Sequence, residues 1–152
     1  MSVQLQTALI ALITAAVAAV IAGWLTRLLK ISEFRQNWIN ALRDDIAAYL
    51  GVTQKWFKAY SKGEEDWKLF SLGNEASIIL FRIQMRFNPN ENEFKQEDDE
   101  FLAALNEIRN PHVVIRELAE SHWGNASVKV MSLARKILKT KRFFVWPWTP
   151  QN

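Results

Sequence analysis

No cysteine occurs among the 152 residues, which excludes a disulfide framework and any thiolate metal site. That absence fits a reducing compartment and equally well an absence under no selection. Histidine is nearly missing as well. His112 and His122 stand ten apart and do not share a helix face as an i, i+4 metal pair does. Five glycines with no Gly-rich run leave no phosphate-cradling loop and no nucleophile elbow. The expectation is therefore a protein that is not an enzyme, with no cofactor and no metal.

Charge is absent over one long stretch. From Thr7 to Leu25 there are nineteen residues without an ionisable side chain. A helix of that length rises about 28 Å, close to the ~30 Å hydrocarbon core of a bilayer. Three fates are open to it: a cleaved export signal, a buried core helix, or a membrane span. A signal opens with a basic region, yet Met1 to Gln6 carries no Lys or Arg, and the charges Arg27, Lys30 and Arg35 follow the apolar run. A charge-free 19-mer is seldom needed in the core of so small a domain. The span is the reading adopted, and the positive-inside rule puts its C-terminal side in the cytoplasm and the short N-terminus outside. Trp24, Arg27 and Lys30 then sit at the membrane surface.

The span has two faces. Large residues recur at Ile10, Ile13, Val17, Val20, Ile21 and Trp24, and small or polar ones at Gln4, Thr7, Ala11, Thr14, Ala18 and Ala22. The same turns also read as an unbroken ladder, Ala11, Ala15, Ala19 and Gly23, which lets helix backbones approach closely in lipid. Self-association follows as an expectation, with Gln4, Thr7 and Thr14 as polar groups of a seam or narrow pore; the plain alternative is an alanine-rich anchor. No ionisable residue lies inside, so no proton relay is suggested.

Helical periodicity continues beyond Lys30. Ile31, Phe34, Trp38, Leu42, Ile46, Tyr49, Trp56 and Tyr60 keep steps of three, four or seven, and no proline interrupts the run before "SKGEED", Ser61 to Asp66. A second helix is expected from Trp67 to Phe87, halted by "NPNEN" at Asn88 to Asn92. A short third carries Phe101, Leu102, Leu105 and Ile108, and a fourth runs from Pro111 toward Leu138. Trp38, Trp56, Trp67 and Trp123 occupy core-like positions. The run Glu97, Asp98, Asp99, Glu100 reads as a solvated start of a helix, where the helix dipole favours it. Residues 31 to 62 and 111 to 142 would each rise about 48 Å, which suggests an antiparallel bundle whose C-terminus returns to the bilayer.

Charge is segregated along the chain. Residues 24 to 62 hold seven Lys/Arg against three Asp/Glu, residues 63 to 110 five against eleven, and residues 111 to 152 seven against two. Attraction to anionic lipid headgroups accounts for a basic flank beside an apolar span; nucleic-acid binding does not, and none is expected. The final stretch joins Arg135, Lys136, Lys139, Lys141 and Arg142 to Phe143, Phe144, Trp146 and Trp148, the mixture of a membrane-surface anchor, with packing on the bundle and base stacking as rivals.

The string "KISEFRQNWINALRDDIAAYL", Lys30 to Leu50, directly after an N-terminal span, resembles a pattern of small bacterial and prophage membrane proteins of uncharacterised function. "FRIQMRFNPNE", Phe81 to Glu91, resembles their middle Asn-Pro turn. Their C-terminal "ILK" followed by an acidic-Trp-basic motif appears here only as "ILKTKRFFVW", Ile137 to Trp146, without the acid. The resemblance implies a bacterial origin, and some members occur near anti-phage systems. Within the first string, Arg35, Arg43, Asp44 and Asp45 can pair with neighbouring helices or subunits.

These readings give an all-α chain: a transmembrane anchor over 1–30, a cytoplasmic antiparallel bundle of about four helices over 31–142, and an aromatic/basic membrane-surface tail over 143–152. The expected protein is a homo-oligomeric, single-pass protein of the bacterial inner (plasma) membrane that contacts anionic lipid headgroups. Its expected role is a membrane-perturbing effector in anti-phage defence or superinfection exclusion. The alternative is a non-catalytic, membrane-tethered adaptor docking a cytosolic protein partner.

Overall fold

An apolar period unbroken by proline across the first sixty residues produces one continuous helix. The computed structural model of the chain describes residues 3–87, 95–109 and 116–143. It contains α1 (Val3–Ser61), α2 (Asp66–Gln84), α3 (Lys95–Arg109) and α4 (Ala119–Phe143), with a 3-10 turn at Arg116–Leu118 before α4. Among the described residues there is no strand. The chain divides into two compact units, Met1–Trp38 and Ile39–Asn152, so the division falls at Trp38–Ile39, later than the Lys30–Ile31 boundary read from hydropathy.

Helix α1 ends where glycine lets the backbone turn left-handed. Gly63 has φ of 69°, its N–H donates to the Tyr60 carbonyl at 3.1 Å, and the Glu64 N–H donates to Ala59 at 3.0 Å. This is a Schellman ending, which satisfies carbonyls that the last turn would otherwise leave without donors. A Cβ at Gly63 would also lie 3.1 Å from the Arg116 guanidinium, whose carbon sits 5.2 Å from the Tyr60 ring centroid.

The bundle forms from the second unit. Ile39, Leu42, Ile46, Tyr49, Val52 and Phe57 of α1 are buried, with Ala76, Ile79, Leu80 and Ile83 of α2, Phe101, Leu105 and Ile108 of α3, and Ala126, Val130 and Ile137 of α4. Each set recurs at helical spacing, so each helix turns one stripe toward the others. The polar contacts give the directions. Asp45 meets Arg82 and Arg86 while Trp56 lies beside Gly73, so α1 and α2 run antiparallel. Glu97 pairs with Lys136 at 3.0 Å and Glu107 with Lys129 at 2.7 Å, so α3 and α4 do too.

Buried polar groups tie the helices of this core together. The Tyr49 hydroxyl donates to the Leu105 carbonyl at 2.8 Å. Thr53 Oγ1 donates to the Tyr49 carbonyl at 2.9 Å and accepts the Trp123 indole N–H at 3.1 Å. Asp45 receives Arg82 Nη1 on Oδ1 at 3.1 Å, and Arg86 Nε and Nη2 on Oδ2 at 2.7 and 2.6 Å.

Several expectations change. The fourth helix does not run unbroken from Pro111: a 3-10 turn precedes it, α4 begins at Ala119, and its 25 residues rise about 37 Å instead of 48 Å. Trp67 is exposed, not core, because the apolar period of its segment marks two faces and the bundle covers only one. The acidic run is not all solvated. Asp98 is buried and Glu97 pairs with Lys136, because α3 already extends through this run from Lys95 and turns one side of it to the bundle.

Asp45→Ala should lower the stability of the full chain by roughly 2 kcal/mol, since it removes the buried carboxylate that Arg82 and Arg86 share, of which Arg82 is largely exposed. Urea unfolding in detergent, followed by helix signal, measures this; a loss below about 0.5 kcal/mol would remove the pair from the account. The α3–α4 pairs set a pH dependence. The hydrogen bond and charge of Lys129 hold Glu107 below the ordinary carboxylate range, so its contribution is complete above its unfolded value and is lost on acidification through the lowered one. The hydrogen bond and charge of Glu97 raise Lys136 above the ordinary lysine range, so that contribution is complete at neutral pH and is lost on alkalinisation. Glu107→Gln should flatten the acid limb of melting temperature against pH, and Lys136→Met the alkaline limb.

Candidate membrane span

From Gln6 to Phe34 every side chain of α1 is exposed, including Leu9, Ile10, Leu12, Ile13, Val17, Val20, Ile21, Trp24 and Leu25. A core helix of a soluble domain would hide these groups in its own domain; this one hides none of them. It is the one helix among the described residues long and apolar enough to cross a membrane. With its backbone donors and acceptors paired along the helix, such a segment exposes few unmet polar groups to lipid.

Side-chain hydroxyls follow the same rule. Thr14 Oγ1 donates to the Ile10 carbonyl and Thr26 Oγ1 to the Ala22 carbonyl, both at 2.8 Å. The Thr14 proton is thus used within its own helix, and only the oxygen lone pairs face outward. Gln4 and Thr7 lie on the exposed surface near the start of α1.

Helix geometry separates the two small-residue patterns. At about 100° per residue, Gln4, Thr7, Ala11, Thr14, Ala18 and Ala22 stay within an arc of about 80°, and the bulky set is centred about 115° round the helix from it. Ala11, Ala15, Ala19 and Gly23 instead advance about 40° per step and wind across the surface. The straight stripe suits a left-handed crossing near +20°, and the winding ladder suits a right-handed one near −40°. Ala15, Ala19 and Gly23 are all exposed, and a Cβ at Gly23 would meet nothing within 4 Å.

At the C-terminal side of the run, Trp24, Arg27 and Lys30 are exposed on successive turns. Of the tail, Lys139 is exposed on α4, whereas Lys141, Arg142 and Phe143 have only their helical backbone described. Phe144, Trp146 and Trp148 lie outside the described residues, as does His112. His122 is half-buried, 6.0 Å from the Phe57 ring. Among the described residues no group of three or more His, Asp or Glu is placed to hold a metal ion.

One feature of the surface was missed in the sequence. Trp67, Phe70, Ile78 and Phe81 are exposed on α2, with Met85 just past its C-terminal end, behind the side that packs in the bundle. The signal was present, since their steps are helical, but a helix apolar on both sides reads as one buried stretch. No family model, curated protein or solved structure matches the chain.

Val17→Lys places an ammonium group in the middle of the run, where insertion costs about 3 kcal/mol. It should move a large part of the protein out of the carbonate-resistant membrane fraction. Unchanged fractionation would count against a span at this position.

Proposed function

We propose that the chain is a single-pass inner-membrane protein of a bacterium, with its N-terminus outside and its helical bundle in the cytoplasm. The observation that carries this reading is the exposed, charge-free run of α1 with Arg27 and Lys30 at its C-terminal end. The resemblance of Lys30 to Leu50 to small bacterial membrane proteins supports the same assignment. The span associates with copies of itself through its small-residue side, and the clustered spans perturb the bilayer, as a defence or phage-exclusion effector would. The role is non-catalytic.

A tethered adaptor would offer the acidic run at residues 97–100 as the docking surface for its cytosolic partner. Glu97 is engaged by Lys136 and Asp98 is buried, which leaves Asp99 and Glu100 as the exposed carboxylates of that run and weakens this alternative.

Two substitutions separate the seams. Ala18 lies only on the straight stripe and Ala19 only on the winding ladder, so Ala18→Leu and Ala19→Leu block different crossings. Cross-linking in membranes should show several-fold fewer oligomers for one of them and little change for the other. If both leave the oligomers intact, the span is a plain anchor. Ion flux from vesicles, or dye uptake by expressing cells, should fall with the disruptive variant. An oligomer that forms without any flux would favour the tether.

A further inference from the structure

The unit Met1–Trp38 carries a second pattern beside its small residues. Ile10, Ile13, Val17, Val20, Trp24, Arg27, Ile31, Phe34 and Trp38 follow one another at alternating steps of three and four, a strict seven-residue repeat over four heptads. Every position except Arg27 is apolar. A lone helix turns every 3.6 residues and has no use for a period of 3.5. That period keeps one side facing a partner along a left-handed supercoil.

The repeat does not stop where the charge-free run ends. Leu25 closes that run, and at 1.5 Å per residue Ile31 stands about 9 Å and Phe34 about 14 Å beyond it. The headgroup layer on each side of a bilayer is only about 5–8 Å deep. With the run in hydrocarbon, these two side chains therefore stand past the headgroups, yet they are 44% and 74% exposed. Lipid accounts for the exposure of Ile10 to Trp24; it does not account for Ile31 and Phe34, which meet water. We propose that Ile31, Phe34 and Trp38 form a homotypic collar just above the membrane, where copies of this chain pack the same helix parallel and in register, the seam continuing into the lipid through Trp24, Val20 and Val17.

Three observations select a second copy as the occupant. The phase of the repeat is unbroken from Ile10 to Trp38, so one side faces the partner throughout. Copies inserted in one orientation are related by rotation about the bilayer normal and held at one depth, so each seam residue meets its own counterpart, as a parallel repeat requires. The exposed apolar members of the repeat together present on the order of 700 Å², close to the ~800 Å² per partner of a standard interface. Arg27, the one polar member, falls at headgroup level, where its stem covers apolar surface and its guanidinium reaches water. A slip of one heptad would set it against Val20 or Phe34, so it also fixes the register.

This collar rests on the single-pass reading and deepens the self-association proposed with it, on a side about 115° round the helix from the small-residue stripe. The chain has no cysteine, so introduced thiols report without background. Full-length single-cysteine chains are expressed in membranes and oxidised with copper phenanthroline. Ile31→Cys and Phe34→Cys should give at least five-fold more covalent dimer than Ser32→Cys and Glu33→Cys, which are exposed on the other side of the same turns. Equal yields around the helix, as random collision gives, overturn the seam. Phe34→Ser should lower the Ile31→Cys dimer several-fold with the helix signal unchanged, since Phe34 is exposed and leaves the core untouched; an unchanged yield overturns the collar.

Repeating the measurement with Ala18→Leu and Ala19→Leu, which lie off this seam, separates the two readings. Loss of contact along the small-residue side with the Ile31→Cys dimer retained leaves the collar standing alone. Loss of both together shows that the collar has no affinity of its own and overturns it. Span oligomers retained with no Ile31→Cys or Phe34→Cys dimer above the controls overturn it and leave the small-residue seam in place. Lys30 and Arg35 flank the seam as like charges, so raising salt should increase the dimer. A yield that falls with salt means ion pairing in place of apolar contact and overturns it. Quenching of a fluorophore on Phe34→Cys by nitroxide lipid, without dimer, overturns it in favour of the bilayer surface.

Discussion

A carboxylate taken out of water must find donors, and Asp45 finds them on α2. Its two oxygens receive three guanidinium nitrogens from Arg82 and Arg86. Sliding α2 by one residue would turn these arginines about 100° away and leave a buried negative charge unmet, so the pair fixes both the rotation and the height of α2 on α1. Dispersion and apolar burial hold the bundle together, but they tolerate many arrangements. The ion pair selects one of them.

That selection decides which side of α2 remains outside. With Arg82 and Arg86 directed to Asp45, Ile79, Leu80 and Ile83 must point into the core, and Trp67, Ile78, Phe81 and Met85 must not. The opposite rotation would bury about as much apolar surface, because both sides of the helix are rich in it. A single acidic residue on α1 thus determines which surface of α2 stays outside. The span achieves its own sidedness differently, by placing small residues along one stripe and bulky ones along the other.

Much of this was legible in the residues. The uninterrupted first helix, its end at Ser61 to Asp66, the second helix and the helical character of the whole followed from the apolar period and the glycine and proline positions. So did the pairing capacity of Asp45 within its string. What periodicity could not supply was which face of α2 the bundle would cover, because Trp67 and Ile79 are equally apolar and only the long-range ion pair tells them apart. The start of α4 was misread for a related reason. Pro111 is a good first residue for a helix, but the 3-10 turn at Arg116–Leu118 is where the chain reaches Tyr60 and the glycine turn, a tertiary contact with no local signature. Asp98 was assigned to solvent for want of any view of what α3 packs against.

The Gly63 turn has a consequence in time. It joins α1 to α2 through only Lys62 to Glu65, so the antiparallel pair is complete in sequence once Phe87 has been synthesised. A nascent chain of that length already holds Asp45 and both of its arginines, and contacts so local close rapidly. The Tyr49 hydroxyl still lacks its acceptor, which arrives with Leu105, and Thr53 waits for Trp123. A ribosome that stops between these points therefore releases a hairpin with its ion pair made, its inner face uncovered and its outer face already displayed.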